Sequence, residues 1–171
     1  MRAVIMAGGQ GSRLRPLTCS VPKPMMRLFG RPVVEYILDL LGGNGFDSAV
    51  MTLGYLPQEI SSHFESGKYA GISLSFSSEE KPMGTAGSVK LALKGYNDTF
   101  AVISGDAVCD FEIDKIVKYH KATGAKVTIV GYEVEDPREY GLVSKSDDGR
   151  ILGFLECFLA AVKCSVHIPF H

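Results

Sequence analysis

Ala3-Val4-Ile5-Met6-Ala7-Gly8-Gly9-Gln10-Gly11-Ser12-Arg13 is an unbroken apolar run that opens into a glycine-rich loop ending in a cation. A short apolar run without polar alternation is how a strand buried on both faces of a parallel sheet reads. The glycines behind it admit positive φ and let backbone approach a ligand closely. Successive N–H groups in such a turn can cradle phosphate oxygens. The apolar run ends after Ala7, too short for the core of a signal sequence, so the segment reads as a first strand and not as a leader.

Further apolar runs follow at Ala49–Leu53, Ile72–Phe76, Phe100–Ser104 and Lys126–Gly131. Helical stripes lie between them. Val33, Val34, Ile37, Leu38 and Leu41 share one face, with Gly42-Gly43 as the stop. A shorter segment, Gln58–Glu65, follows Pro57. Ala86, Val89, Ala92 and Leu93 form the next stripe, ended by Gly95. Ile113, Ile116, Val117 and His120 form another, ended by Gly124, and Asp110 reads as the cap of a helix starting near Phe111. The alternation predicts an α/β fold: a Rossmann-like, mainly parallel sheet with helices on both faces. Such sheets carry their sites beyond the carboxyl ends of the strands. Ser144-Lys145-Ser146-Asp147-Asp148-Gly149-Arg150 is a turn between Gly141–Val143 and Ile151–Leu155, which predicts a C-terminal β-hairpin.

The chain has 171 residues and a net charge of −1 without a basic block, which argues against nucleic-acid or membrane-surface partners. No apolar stretch approaches the roughly 18 residues that a membrane span needs. Cys19, Cys109, Cys157 and Cys164 show neither CxxC nor metal-ligand spacing, and read as free thiols in a reducing cytoplasm.

The loop carries two guanidiniums, Arg13 and Arg15, and Lys23 follows between Pro22 and Pro24. A dinucleotide fingerprint would need glycine where Leu14 stands, and no P-loop string occurs. A plain tight turn leaves the clustered cations unexplained. The run Ala7-Gly8-Gly9-Gln10-Gly11-Ser12-Arg13-Leu14-Arg15-Pro16-Leu17-Thr18, followed by Pro22-Lys23-Pro24-Met25, resembles the signature of NDP-sugar pyrophosphorylases, the sugar nucleotidyltransferases. Pro82-Met83-Gly84-Thr85-Ala86-Gly87 looks like that family's base-binding loop. Ser104-Gly105-Asp106 looks like its metal-binding strand end, and Tyr140-Gly141-Leu142-Val143 like its sugar-contacting segment. Pro24–Pro32 looks most like mannose-1-phosphate guanylyltransferases.

The resemblance implies transfer of a nucleotidyl group from an NTP, GTP by preference, to a sugar-1-phosphate such as mannose-1-phosphate or, alternatively, glucose-1-phosphate. It implies Arg13 and Lys23 as the catalytic cations. Ala7, Gly8, Gly9, Gly11 and Gly84 would bind the nucleotide, and Glu79 or Glu80 would accept from the guanine N–H groups. Asp106 would hold Mg²⁺, and Gly141 and Glu156 would meet the sugar. The partners expected are small-molecule substrates, with homo-oligomerisation left open. His120 reads as a hydrogen-bonded core histidine, His63 as a surface one, and Lys81 as a loop cation without a role.

The resemblance covers residues 2 to 156, so the expected organisation is a nucleotidyltransferase portion over 1–156 and an atypical tail over 157–171. The family continues after Glu156 with Lys-Pro, whereas Cys157-Phe158 stand here. A cysteine cannot replace a phosphate-holding lysine. The family's second metal-binding aspartate has no counterpart. These departures raise a second expectation, a nucleotide-binding or regulatory module without turnover. The tail reads as unrelated to the family, as a frameshift would leave it, or else as a genuine apolar segment packing as an edge strand.

Overall fold

A computed structural model of the chain describes residues 1–79, 81, 83–136, 141–156 and 167–169. Its main sheet is built on β1 (Arg2–Met6), with β4 (Ser48–Leu53) on one side and β7 (Phe100–Ser104) on the other, both parallel to it. β6 (Ile72–Ser78) continues the parallel set beyond β4, and the short β5 (Lys68–Tyr69) closes that edge antiparallel. Beyond β7 come β11 (His167–Pro169) and β8 (Val127–Ile129), giving the order β5-β6-β4-β1-β7-β11-β8. Two smaller hairpins stand apart: β2 (Arg27–Leu28) with β3 (Arg31–Pro32), and β9 (Gly141–Lys145) with β10 (Ile151–Glu156).

Strand periodicity sorts the core. Ala3, Ile5, Ala49, Met51, Leu53, Ala101 and Ile103 point to one face, where they meet α1 (Val33–Gly43), α2 (Pro57–His63) and the start of α4 (Ile113–Thr123). Val4 and Val102 point to the other face and meet Val89, Ala92 and Leu93 around α3 (Gly84–Ala92). Helices therefore cover both faces, as the continuous apolar strands require. Ile5 and Ile103 are fully buried, each worth about 1.5–3 kcal/mol of apolar transfer. Val34, Ile37, Leu38 and Leu41 are the buried stripe of α1.

Gly42 and Gly43 do not stop α1; they form its last turn. The stop is Gly45, whose φ of +78° no β-carbon would favour, and behind it the Phe46 N–H donates to the Leu41 carbonyl at 3.1 Å. α4 likewise starts later than expected, at Ile113, so Asp110 does not cap it. The cap comes from elsewhere. Asn44 at the end of α1 accepts from the Asp114 N–H (3.0 Å) while its amide donates to the Leu40 carbonyl (2.8 Å). A single amide thus satisfies groups at the ends of both helices.

Part of the tail joins the sheet as β11, between β7 and β8 and antiparallel to both, so it is interior and not an edge strand. β7 and β8 do not pair with each other, and a strand between them gives their facing N–H and C=O groups partners. The expected Glu80, Pro82, Tyr140, Cys157 and Phe158 lie outside the described residues.

Candidate active site

Because β1, β4, β6 and β7 run parallel, their carboxyl ends share one edge of the sheet. The segments leaving that edge begin at Ala7, Gly54, Glu79 and Gly105. Two of these exits touch. A β-carbon on Gly54 would stand 2.7 Å from the Gly8 carbonyl oxygen, and one on Gly8 would be 3.3 Å from the Gly54 nitrogen. The Ala7 N–H donates to the Thr52 carbonyl (3.2 Å), and the Tyr55 N–H donates to the Gly8 carbonyl (3.2 Å). Glycine at both positions lets the loop leave β1 flat against the end of β4. Gly9 has open space around it.

Gly11 is the loop's fixed point. Its φ is +59°, and a β-carbon there would meet Thr18 at 3.1 Å and the Lys23 β-carbon at 3.3 Å. Thr18 is fully buried, and its hydroxyl donates to the Gly11 carbonyl at 2.9 Å. Ser12–Leu14 then form one turn of 3₁₀ helix that presents Arg13 to solvent; Arg15 follows, also exposed. Among the described residues neither guanidinium has an ion-pair partner. The far end of the loop is tied down by Tyr55, whose hydroxyl donates to the Cys19 carbonyl at 3.1 Å.

Lys23 opens a second 3₁₀ turn, Lys23–Met25, between Pro22 and the buried Pro24. Its Nζ lies 2.5 Å from Asp106 Oδ2. Asp106 follows Gly105, whose N–H donates to the Met6 carbonyl (2.9 Å) and whose site has no room for a β-carbon between Ile5 and Met6. The other carboxylate oxygen accepts from the Ser104 hydroxyl. Partial burial opposes ionisation of Asp106, but the hydrogen bonds from Lys23 and Ser104 outweigh it and hold the carboxyl below its usual range. The structure therefore brings Gly11, Lys23 and Asp106 together.

Glu79 is engaged differently. One carboxylate oxygen accepts from the Met83 N–H (2.6 Å) and the other from Ser88 (2.5 Å). Those hydrogen bonds, from Ser88 first, hold its carboxyl below the usual range. Glu79 thus sits at the start of α3, tied to its N-cap residue Met83 and to Ser88 within it, where a carboxylate suits the helix dipole. Gly84 opens that helix at φ +69°. Gly141 and Glu156 are register partners across the β9–β10 hairpin; the Glu156 side chain lies outside the described residues.

His120 is fully buried, with Nδ1 2.7 Å from Thr128 Oγ1, and burial pushes its titration down. His63 is at the surface, but its Nε2 meets Glu35 at 2.8 Å. Cys19 is an exposed free thiol. Among the described residues no group of three His, Cys, Asp or Glu side chains could hold a metal by itself, and no helix is long and apolar enough to cross a membrane. Thr18 and Ser104 fall inside motifs the sequence reading quoted but received no role there, and Gly54 and Tyr55 were not singled out. Gly54 carried a signal, a glycine directly behind an apolar strand; Tyr55 carried none of its own.

The nucleotidyl transferase family model matches residues 2–157. The chain belongs to the nucleotidyl transferase family. Curated relatives of this nucleotidyl transferase chain include a UTP–glucose-1-phosphate uridylyltransferase of Synechocystis, 37% identical over 91% of this chain and 44% of its own length. The mannose-1-phosphate guanylyltransferase catalytic subunit beta of Xenopus tropicalis is 37% identical over 91% and 45%. The chain spans less than half the length of these relatives. Among solved structures, HddC from Yersinia pseudotuberculosis superposes with a TM-score of 0.82 at 26% identity, covering 99% of this chain and 76% of that one. The same protein complexed with GMP-PN gives a TM-score of 0.79 at 27% identity, over 98% and 72%.

Proposed function

We propose that this chain carries the nucleotide half of a sugar-1-phosphate nucleotidyltransferase, with GTP and mannose-1-phosphate as the preferred pair. The observation that carries the reading is the convergence of the Gly11 loop, Lys23 and Asp106 at the carboxyl ends of β1 and β7. In the reaction, a phosphate oxygen of the sugar-1-phosphate bonds to the α-phosphorus of the NTP while the bond to the β-phosphate oxygen breaks, and pyrophosphate leaves. Catalysis of this kind is mostly positioning and charge neutralisation. The backbone at Ala7, Gly8, Gly9 and Gly11 receives the nucleotide. Arg13, exposed on its 3₁₀ turn, neutralises the leaving pyrophosphate. Lys23 holds the phosphates near the α position.

Asp106 fits Mg²⁺ as a lone carboxylate at a strand end. Mg²⁺ prefers few protein oxygens and takes the remainder from phosphates and water, so no protein cage is needed. When bound, the ion supplies charge neutralisation on the phosphates. Gly141 and Glu156, paired across the hairpin, are the sugar-side residues. The guanylyltransferase relatives and the GMP-PN complex of HddC support guanine. Base recognition falls to the backbone around Gly84 and to the Glu79 carboxylate, which Met83 and Ser88 hold at the start of α3. The free thiol of Cys19 agrees with a cytoplasmic location.

The test is pyrophosphate release by the purified chain with Mg²⁺, each of GTP, UTP, dTTP and ATP, and mannose- or glucose-1-phosphate. The reading expects release to be fastest with GTP and mannose-1-phosphate. Cys157-Phe158 in place of Lys-Pro favour a second reading, a nucleotide-binding module. Nucleotide binding without release of pyrophosphate supports it. Absence of nucleotide binding defeats both.

A further inference from the structure

Lys23 and Asp106 serve different ligands in the proposed reaction, a phosphate and a divalent cation, yet they face each other at 2.5 Å across 83 residues of sequence. We propose that Asp106 is the resting counter-ion of Lys23, so that the pair couples cation binding to nucleotide binding. With no cation present, Asp106 neutralises the Lys23 ammonium and withholds it from phosphate. A cation taken up by Asp106 releases the ammonium to the phosphates. The inference rests on the nucleotidyl-transfer reading of the site.

Three features make this exchange local. The Lys23 backbone is fixed by Pro22, by the buried Pro24 and by hydrogen bonds from the Met25 N–H to Pro22 (2.8 Å) and from the Met26 N–H to Lys23 (3.1 Å). Only the flexible four-carbon stem of the lysine needs to move. One oxygen of Asp106 is held by Ser104, so Lys23 occupies the other, and a cation approaching that oxygen competes with the ammonium. The pair is also neither sealed nor fully solvated: the Lys23 and Asp106 side chains are 36% and 28% exposed. Water screens such a pair enough for it to open, and not enough to make it negligible. Coupling between two ligands is reciprocal, so whatever the cation does for the nucleotide, the nucleotide does for the cation.

The experiment measures GTP affinity calorimetrically for the whole chain in EDTA and in Mg²⁺, with UTP in parallel, for wild type, Asp106→Asn, Lys23→Met and the double variant. Circular dichroism and melting confirm that each is folded. The expected result is metal-free binding about five- to tenfold tighter in Asp106→Asn than in wild type, within the usual span of couplings. That gain should vanish in the Lys23→Met background, because it comes from the freed ammonium. In parallel, Mn²⁺ binding to the nucleotide-free protein, read by electron paramagnetic resonance, should tighten by a similar factor in Lys23→Met. The proposal is overturned if Asp106→Asn binds metal-free nucleotide no tighter than wild type. It is also overturned if the gain persists without Lys23, which would make it a general charge effect, or if Lys23→Met leaves Mn²⁺ affinity unchanged. Wild type that binds nucleotide in Mg²⁺ while failing these tests defeats the coupling alone. Wild type that binds no nucleotide in Mg²⁺ defeats the nucleotidyl-transfer reading as well.

Discussion

The hydroxyl of the fully buried Thr18 donates to the carbonyl of Gly11 at 2.9 Å, and the Thr18 methyl packs where any side chain on Gly11 would have to go. The glycine-rich loop is therefore held in one shape before any ligand arrives. Pre-organisation of this kind lowers the ordering cost of binding.

Replacing Thr18 by Val keeps the shape and removes the donor. The Gly11 carbonyl is left without that partner, a loss of about 1–2 kcal/mol. Thermal denaturation should show the destabilisation, and amide exchange should show loosening at Gly9–Arg13. Thr18→Ser, which keeps the hydroxyl, should restore most of the nucleotide affinity that Thr18→Val loses. Equal affinity in all three proteins would refute the role of the clamp.

The contact between Gly8 and Gly54 predicts a sharp difference between neighbouring glycines. Gly54→Ala places a methyl 2.7 Å from backbone oxygen and should cost about 1–3 kcal/mol through forced separation of the β1 and β4 exits. Gly9→Ala meets nothing within 4 Å and should leave stability close to wild type. Urea midpoints of the two variants check this. Similar midpoints would mean the loop can shift freely.

On the far side of α1, the Glu35 carboxylate accepts from Arg31 (3.2 Å) and Tyr69 (3.2 Å) and meets His63 (2.8 Å). Burial raises its pKa and is the largest influence, but His63, Arg31 and Tyr69 together hold the group below its ordinary value. A depressed folded pKa gives stability that is fully present above the unfolded value, about pH 4.3. It is lost as pH falls through the lower folded value. Glu35→Gln should therefore flatten the acid limb of the stability profile below about pH 4.5. Denaturant titrations at several pH values read this directly, and an unchanged acid limb would remove Glu35 as a contributor.

The parallel sheet and its helices were legible in the sequence because apolar runs such as Ala3–Ala7 and the stripe Val34, Ile37, Leu38, Leu41 report burial directly. Helix ends were harder to read. Asp110 looked like a cap, but the Asp114 N–H is satisfied by Asn44, 70 residues away, and no local pattern encodes such a partner. Gly8, Gly11, Lys23 and Asp106 were legible through their motif. The hydrogen bonds from Met83 and Ser88 that orient the Glu79 carboxylate had no signal in its neighbours. Thr18 and Ser104 act through single hydroxyls whose partners appear only once the strands and the loop are in place.

The central claim is that the loop after β1 receives the phosphates of an NTP. Its most direct test is a titration of the whole chain with GTP and with UTP in Mg²⁺, comparing wild type with Arg13→Gln. Arg13 is exposed and unpaired among the described residues, so its loss should leave folding intact. The account predicts saturable binding of the nucleotide to wild type and at least a roughly tenfold loss in Arg13→Gln, the size of about one charge-assisted hydrogen bond. Binding that is absent in wild type, or equal in the two proteins, would contradict it.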